Sequence, residues 1–478
     1  MAHHIIETDY LIVGSGAVGM AFADTLLAES DATITIVDRH HKPGGHWNDA
    51  YSFVTLHQPS SFYGVSSLEL SKGRKDMVGL NKGLHELASG PEVSAYFDQV
   101  MRHQFLPSGR VQYFPMCDYT SDKVAAQKGE GQFKSITSGD TYDVKVAKKT
   151  VDATYFKTSV PSTHTPSYTW DAGIEVHPLN ALPNVTSNPA GYMVVGGGKT
   201  AMDACLWLLE NGVNPDDIQW VMPRDGWLID RANTQPSEEF FASTIGAQAN
   251  QMESIAAATS IDDLFDRLET TGVLLRLDPD VKPEMYHGAT ISQQEMAELR
   301  RIKNVIRMGR IKHIGQHEIT FDKSVMPATP GTLYVDCSAR AVPVTEMFPV
   351  FDGNLITVQT VRTIQPVFSS AFIAHVEATY ADEKQKKALC SVVPLPNHAT
   401  DWIIVTMGLM MNQFTWSQNK ELREWIASNR LDGFSKLIQN VDPADTEKMA
   451  ILGRMKAAAM PAMANLQKFA VEINESAA

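Results

Sequence analysis

Two short runs of apolar residues, each followed at once by a glycine-rich loop and a helical pattern, organise this chain. The first run, Tyr10–Val13, is typical of a buried parallel strand. The loop GSGAVG (14–19) follows it, then the helical stretch AFADTLLAES and a second strand that ends at Asp38. A strand, a glycine loop, a helix, a strand and an acid in this order predict a βαβ unit that binds a dinucleotide.

Each glycine of the first loop has a predicted task. Gly14 permits the tight turn, and Gly16 lets backbone N–H groups approach a diphosphate at the helix N-terminus. Gly19 lets the helix pack closely on the strand, and Asp38 is suited to accept hydrogen bonds from ribose hydroxyls. The residues predicted to bind the cofactor here are Gly14, Gly16, Ala17, Gly19, Asp38 and Arg39.

The second loop, GGGKT (196–200), resembles the phosphate loop of ATPases in its last two letters. The ATPase pattern G-x-x-x-x-G-K-[ST] requires a glycine where this chain has Met193, so that pattern is excluded. Gly196-x-Gly198-x-x-Ala201 instead fits the dinucleotide pattern. Arg224 follows the next strand, which favours NADPH over NADH, although a solvent-exposed loop cation stays open as the alternative. The predicted NADPH-binding residues are Gly196, Gly198, Lys199, Thr200, Arg224 and Arg231.

Both units continue in the same way, through a hairpin pattern (133–146 and 317–339) into a strand that ends in Val-Asp. We therefore predict an α/β fold with two Rossmann-like domains and β-hairpin excursions. The predicted boundaries are 1–185 (completed by 330–385) for the first domain and 186–330 for the second. A helical insertion (232–305) and a mostly helical C-terminal region (386–478) complete the prediction.

Composition narrows the classes of function. A net charge of −14 over 478 residues argues against nucleic acid and against a membrane surface as partners. The four cysteines show neither C-x-x-C pairs nor zinc spacing, so we predict no metal site and a reducing compartment. The N-terminus lacks a signal-peptide pattern, which favours the cytoplasm. Composition does not decide between a monomer and a homodimer.

Two such units in one chain resemble the two-dinucleotide-domain flavoproteins, over roughly residues 9–240 and 330–375. The segment KPGGHW (42–47) resembles the FAD-contacting segment of class B flavin-containing and Baeyer–Villiger-type monooxygenases. The stretch FKTSVPSTHTPSYTW (156–170) matches the second half of that family's fingerprint, but it lacks the fingerprint glycine and its Phe-to-His gap is eight positions instead of six. The resemblance implies FAD at the first loop and NADPH at the second. It adds Gly45, His46, Trp47, Gln58, Ser60 and Gln365 as FAD-binding residues.

The resemblance further implies a monooxygenase that uses O2 and a C4a-hydroperoxyflavin to oxygenate a small organic substrate at nitrogen, sulfur or a ketone. Disulfide reductases of this superfamily pass electrons through two cysteines paired closely in sequence, and none of the four cysteines of this chain is paired in that way. His57 and His164 are the candidate catalytic residues, with a purely structural hydrogen-bonding role as the alternative for each. Two other functions stay open. One is an FAD oxidase or dehydrogenase with a structural second loop, and the other is a non-catalytic redox sensor.

Overall fold

Two β-sheets with parallel cores carry the fold. The computed structural model describes residues 2–340, 342 and 346–477. The strands are β1 (His3–Val13), β2 (Ile34–Val37), β3 (Val111–Phe114), β4 (Cys117–Tyr119), β5 (Glu130–Ser135), β6 (Thr141–Asp152), β7 (Thr169–Trp170), β8 (Val176–Pro178), β9 (Gly191–Val195), β10 (Ile218–Val221), β11 (Gly226–Asp230), β12 (Met285–Ile291), β13 (Val305–Ile306), β14 (Ile311–Ile314), β15 (Glu318–Phe321), β16 (Val325–Pro327), β17 (Thr332–Asp336), β18 (Phe351–Asp352) and β19 (Leu355–Thr357).

Helices connect these strands and form most of the C-terminal part. They are α1 (Ala17–Glu29), α2 (Gly90–Val100), α3 (Lys123–Gln127), α4 (Lys199–Glu210), α5 (Phe241–Ala257), α6 (Ile261–Thr270), α7 (Gln293–Leu299), α8 (Pro366–Thr379), α9 (Glu383–Leu389), α10 (Asp401–Ser417), α11 (Lys420–Ser428), α12 (Ser435–Gln439) and α13 (Thr446–Ala477). Within the described residues, no helix combines the length and apolarity needed to cross a bilayer.

The first sheet has the strand order β18-β19-β6-β1-β2-β3, and β5 and β4 extend it beside β6. Strands β19, β6, β1, β2 and β3 run parallel, and every residue of β2 is buried, as expected for a strand covered on both faces. Helices α1 and α8 pack against the sheet in one apolar core. Because β18 and β19 come from residues 351–357, a segment distant in the chain adds two strands to the first sheet.

The second sheet repeats this arrangement with the order β13-β10-β9-β17-β8, in which all pairs are parallel. In both sheets a glycine loop follows the central strand, β1 or β9, and leads into a helix, α1 or α4. The two predicted hairpins are present as the antiparallel pairs β5–β6 and β15–β16. The predicted fold of two Rossmann-like units is therefore confirmed.

The insertion between β11 and β13 contains helices α5, α6 and α7, but it also contains a strand. β12 pairs in parallel with β11, so the segment predicted as helical contributes to a small two-stranded sheet. The residues on both sides of this strand have helical periodicity, so the sequence pattern did not indicate a strand between them. The C-terminal helix α13 packs along α5, and an apolar core that includes Leu264, Trp402 and Leu466 joins the insertion to the C-terminal helices.

Candidate functional site

A cleft of about 770 Å³ opens at the carboxyl ends of β1, β2 and β6. Its walls include Val13, Asp38 and Ala153, which lie at or directly after those three strand ends. Ligands of open α/β sheets bind at this edge, where loops rather than strands provide the contacts. We refer to this space as the cleft.

The first glycine loop and the start of α1 form one wall of the cleft. Gly14 has φ +102°, and a Cβ at Gly19 would lie 2.0 Å from the Gly14 carbonyl oxygen, so only glycine permits this approach of helix to loop. Ala17 and Val18, in the first turn of α1, line the cleft. The N–H groups of a first turn have no partner within their own helix, so this end of α1 is suited to an anion.

The GGHW segment lies directly against the glycine loop. Gly44 N donates to Ser15 O at 2.9 Å, and a Cβ at Gly45 would lie 2.9 Å from Gly16 Cα. A short 3₁₀ turn, Gly45–Asn48, then places the imidazole-bearing His46 on the cleft wall. Burial lowers the pKa of His46 to about 4, so this ring is neutral at pH 7.

Trp47 stands behind this wall and supports it. Its indole Nε1 donates to the hydroxyl of Tyr63 at 2.8 Å, and its ring stacks with that of His46 at 5.3 Å between centroids. Tyr63 in turn lines the cleft. Trp47 thus positions two residues of the cleft, His46 and Tyr63.

Asp38 lies on the cleft wall at the end of β2 and is held by the protein itself. One carboxylate oxygen accepts from Ser15 N at 2.5 Å and Ser15 Oγ at 2.8 Å. The other accepts from His40 N at 2.7 Å and His40 Nδ1 at 2.9 Å. Burial alone would raise the pKa of Asp38, but the hydrogen bonds from His40 and Ser15 outweigh it and lower that pKa. Arg39, the next residue, is exposed at the edge of the cleft.

The far end of the cleft is built from segments remote in sequence. Thr363, Ile364 and Pro366 come from the turn that starts α8, and His287 comes from β12 of the insertion. Thr363 Oγ1 is buried and has no hydrogen-bond partner within the described part of the chain. A loop between α9 and α10, residues 394–396, adds an apolar wall.

The second glycine loop shows the same close packing. Gly196 has φ +144°, and a Cβ there would lie 2.4 Å from the Cys337 carbonyl oxygen, while a Cβ at Gly197 would lie 2.9 Å from the Arg224 carbonyl oxygen. A Cβ at Gly198, which caps the start of α4, would meet no atom within 4 Å. Space is therefore open at the residue that caps α4, beside a tightly packed loop.

Arg224, whose backbone lies against this loop, has two further arginines near it. Arg224 Nη2 and Arg340 Nη2 both donate to Asn397 Oδ1, at 3.0 and 2.8 Å. Burial, and then the charges of Arg310 and Arg340, lower the pKa of Arg224, while Glu284 acts in the opposite direction. We call Arg224, Arg310 and Arg340 the arginine cluster. Like charges this close favour an anion between them.

His287 links the arginine cluster to the cleft. Its Nε2 lies 3.4 Å from the same Asn397 Oδ1 that accepts from two of the arginines. Desolvation lowers the pKa of His287 more than its hydrogen bond to Asn397 raises it, and the charges of Arg340 and Arg224 lower it further, so the ring is neutral at pH 7. One asparagine therefore touches both the cluster and a residue of the cleft wall.

Comparison with known proteins agrees with a dinucleotide-binding unit at the first glycine loop. Residues 12–60 match the family model described as an NAD(P)-binding Rossmann-like domain. An uncharacterised protein of Mycobacterium tuberculosis (strain ATCC 25618 / H37Rv), Rv2000, is 47% identical over 433 residues, which cover 91% of this chain and 79% of the relative. This chain belongs to the Rv2000 family.

Two solved structures show more distant likeness. A cyclohexanone-bound cyclohexanone monooxygenase in its rotated conformation is 13% identical with a TM-score of 0.49, over 78% of this chain and 86% of that one. A cyclohexanone monooxygenase from Rhodococcus sp. Phi1 bound to NADP⁺ is 12% identical with a TM-score of 0.45, over 78% of this chain and 83% of that one.

In this member of the Rv2000 family, two of the cations predicted at the second loop lie in a buried ion network. Lys199 pairs with Asp203 and lies 3.8 Å from Glu295. Arg231 is fully buried and pairs with Glu295 at 2.8 Å, and its Nε donates to His57 O at 3.0 Å. A direct phosphate contact by either side chain would require these bonds to break. Thr200 is partly buried in the first turn of α4.

The two predicted catalytic histidines lie in different places. His57 lies near the charged groups of the ion network. Burial, followed by the charge of Lys199, lowers its pKa to about 4. His164 Nε2 lies 3.3 Å from Ser338 Oγ, just past the carboxyl end of β17. The neighbouring residue Thr163 lines the cleft, so His164 lies between the cleft and the second glycine loop. A catalytic role for either histidine remains a prediction.

Three further predicted FAD contacts have mainly internal partners. Ser60 Oγ accepts from Ala88 N at 2.7 Å and donates to Glu86 O at 2.9 Å. Gln365 is the N-cap that precedes α8, and its Oε1 accepts from Arg362 Nη1 at 3.4 Å. Gln58 is partly buried on the same segment as Ser60. Sequence reasoning did not identify His40, His287, Arg310, Arg340, Thr363 and Asn397, because no local motif marks them.

Proposed function

We propose that this protein is an FAD-dependent oxidoreductase that takes electrons from NADPH and uses O2 to oxygenate a small organic molecule. The observation that carries this proposal is the pairing of two different anion-binding ends in one chain. The N-terminus of α1 faces a cleft large enough for a cofactor. The space at Gly198, which caps α4, is open, and the backbone of Arg224, a member of the arginine cluster, lies against the same loop.

The cleft residues fit FAD. The close approach of Gly16 and Gly45 leaves backbone rather than side chains at the first turn of α1, as a diphosphate requires. Gly14, Gly16, Ala17 and Val18 would hold the diphosphate, with Asp38 and Arg39 on the ribose side. Thr363 Oγ1, a buried hydroxyl without a partner in the described chain, would serve the polar edge of the flavin.

The arginine cluster fits the 2′-phosphate of NADPH. A guanidinium presents donors in a planar fork that matches phosphate oxygens, and NADH has only a hydroxyl at this position. Arg224 follows β10, the strand after the second glycine loop, where the nucleotide-specifying residue of such units stands. Arg310 and Arg340 add charge from two other segments.

FAD, when bound, supplies the two-electron chemistry that links NADPH to O2. The residues at the far end of the cleft shield this chemistry rather than drive it. His46 and His287 are neutral at pH 7, and Ile364 and residues 394–396 exclude water. We therefore expect an uncharged, largely apolar substrate. All four cysteines are buried free thiols, which supports O2 rather than a disulfide as the electron acceptor.

The proposal is tested with the purified protein reconstituted with FAD. We expect a bound-flavin absorbance spectrum, and rapid bleaching of that spectrum on anaerobic mixing with NADPH. Bleaching by NADH should be slower, because NADH lacks the phosphate. O2 uptake should then depend on a member of a panel of amines, sulfides and ketones.

Each alternative has its own result. Flavin that substrates reduce but NADPH does not would establish an oxidase or dehydrogenase with a structural second loop. Flavin that NADPH reduces, without substrate-dependent O2 uptake or product from any panel member, would favour a redox sensor. A protein that does not bind FAD under any condition would refute the proposal as a whole.

A further inference from the structure

His40 lies between two carboxylates on the cleft wall. Its Nδ1 is 2.9 Å from Asp38 Oδ1, and its Nε2 is 2.9 Å from Asp49 Oδ2. An ionised carboxylate accepts hydrogen bonds and cannot donate, so both ring nitrogens must carry a proton to make both bonds. The geometry is therefore that of an imidazolium held by two aspartates.

The two aspartates belong to different parts of the site. Asp38 ends β2 and holds the first glycine loop through two hydrogen bonds from Ser15. Asp49 follows the 3₁₀ turn of the GGHW segment, and its carbonyl oxygen accepts from Ser162 Oγ at 2.6 Å and Asn180 Nδ2 at 3.0 Å. In addition to the backbone bond from Gly44 N to Ser15 O, His40 thus provides a side-chain link between the GGHW segment and the strand end and glycine loop beside it.

We propose that His40 is a positioning residue that, when protonated, clasps the GGHW segment onto the first glycine loop and so makes the retention of FAD depend on pH. This inference rests on the proposed binding of FAD in the cleft. When His40 loses a proton, one nitrogen becomes an acceptor facing a carboxylate, and one of the two bonds is lost. His40 and Asp49 both line the cleft, so the loosened wall is the one that the cofactor would touch.

The charges around His40 determine the direction of the pH effect. The hydrogen bond to Asp38 raises the pKa of His40, burial opposes this rise, and Asp49 adds to it. His46 also lies near His40, but it does not compete for the two carboxylates as a cation, because burial keeps its ring neutral. Asp118 also lines this side of the cleft. A raised pKa means that the clasp is present at low pH and is lost as pH rises through that raised value.

The test measures the FAD dissociation constant from flavin fluorescence between about pH 6 and about pH 9, a range that starts near the ordinary pKa of histidine and extends above it. The variants are His40→Gln and Asp49→Asn, with His41→Gln as the matched control because His41 is an exposed neighbour. We expect the wild type and the control to lose affinity on the order of tenfold as pH rises. His40→Gln should bind weakly without this pH step, and Asp49→Asn should move the step to lower pH.

A second readout does not need FAD. The ring-proton NMR signals of His40 in the apoprotein report its pKa directly, and assignment follows from their loss in His40→Gln. A value at or below the ordinary value of about 6.5 would overturn the inference, as would an equal pH step in His40→Gln. Failure of the wild type and His41→Gln to bind FAD at any pH would instead refute the proposed function, so the two failures differ. Circular dichroism confirms that each variant is folded.

Discussion

Gly288 of the insertion lies directly against Ile364 of the cleft wall. A Cβ at Gly288 would be 2.7 Å from Ile364 Cδ1. Gly288 has φ +70°, and Ile364 has φ +61°, a conformation that a β-branched residue rarely adopts. Two residues with left-handed backbone conformation thus meet where the insertion closes the far end of the cleft. Each restricts the size of the side chain that fits at the other position.

Gly288→Ala should therefore destabilise the protein by about 2–4 kcal/mol, because it adds backbone strain and a steric clash. Gly272→Ala is the matched control, since Gly272 has φ +71° but no atom within 4 Å of its Cβ position. The control should lose only about 1–2 kcal/mol from backbone strain. Urea denaturation measures both, and equal losses in the two variants would show that the contact with Ile364 is unimportant.

Gly45→Ala should release FAD. Its Cβ would lie 2.9 Å from Gly16 Cα, so the GGHW segment must move away from the first glycine loop. We expect FAD affinity to fall by at least about tenfold, the equivalent of about 1.4 kcal/mol. Gly73→Ala, with φ +66° and open space at Cβ, provides the control for backbone strain alone. Equilibrium dialysis against FAD separates them, and unchanged affinity in Gly45→Ala would contradict the assignment of the cleft.

The sequence predicted those parts of the fold that local patterns specify. The strand, glycine loop and helix of each unit are continuous in sequence, and so are the hairpins β5–β6 and β15–β16. The strand β12 was missed because its pairing with β11 joins segments separated by α5 and α6. The family model covers residues 12–60, the stretch in which the sequence pattern was clearest.

The site could be predicted only in part, because two side chains of the same type have different roles when they contact different residues. Arg224 and Arg231 look equivalent in sequence, yet Arg224 joins other arginines while Arg231 is buried against Glu295. Asn397 follows no recognisable motif, and its role depends on two arginines that distant segments bring to it. Local spacing contains no information about such contacts.

The arginine cluster should set the preference for NADPH. Arg224→Gln and Arg340→Gln each remove a charged hydrogen-bond donor, so the NADPH dissociation constant should rise on the order of 10–100-fold. NADH binding should change little, because the lost partner is the 2′-phosphate. Arg423→Gln, at an exposed position on α11, is the control. Titration of the oxidised protein with each nucleotide tests this, and a parallel loss of NADH affinity would place the cluster elsewhere on the nucleotide.

The buried ion network should be costly to break on one side. Arg231→Met leaves Glu295 buried without its closest cation, and we expect a loss of about 3–5 kcal/mol in the free energy of unfolding. Adding Glu295→Gln removes the stranded charge and should restore part of that loss. Urea denaturation of the single and double variants measures both effects. If the double variant instead loses as much stability as the two single variants together, or more, the pairing of Arg231 with Glu295 is not the source of the effect.

The same network predicts how the protein responds to acid. Burial alone would raise the pKa values of Asp203 and Glu295, but Lys199 above all outweighs it and lowers both. Carboxyl groups with depressed pKa values stabilise the fold above their ordinary value of about 4, and that contribution is lost as pH falls through the depressed values.

Lys199→Met removes the cation that both carboxylates share, so both should bind protons at higher pH. We therefore expect the midpoint of acid unfolding, followed by far-UV circular dichroism, to rise by about one pH unit. Lys456→Met, at an exposed position on α13, should leave the midpoint unchanged. If Lys199→Met and Lys456→Met unfold at the same pH, the lysine of the GGGKT loop does not stabilise these carboxylates. In that case the predicted phosphate contact would be the role of Lys199 that stays to be tested.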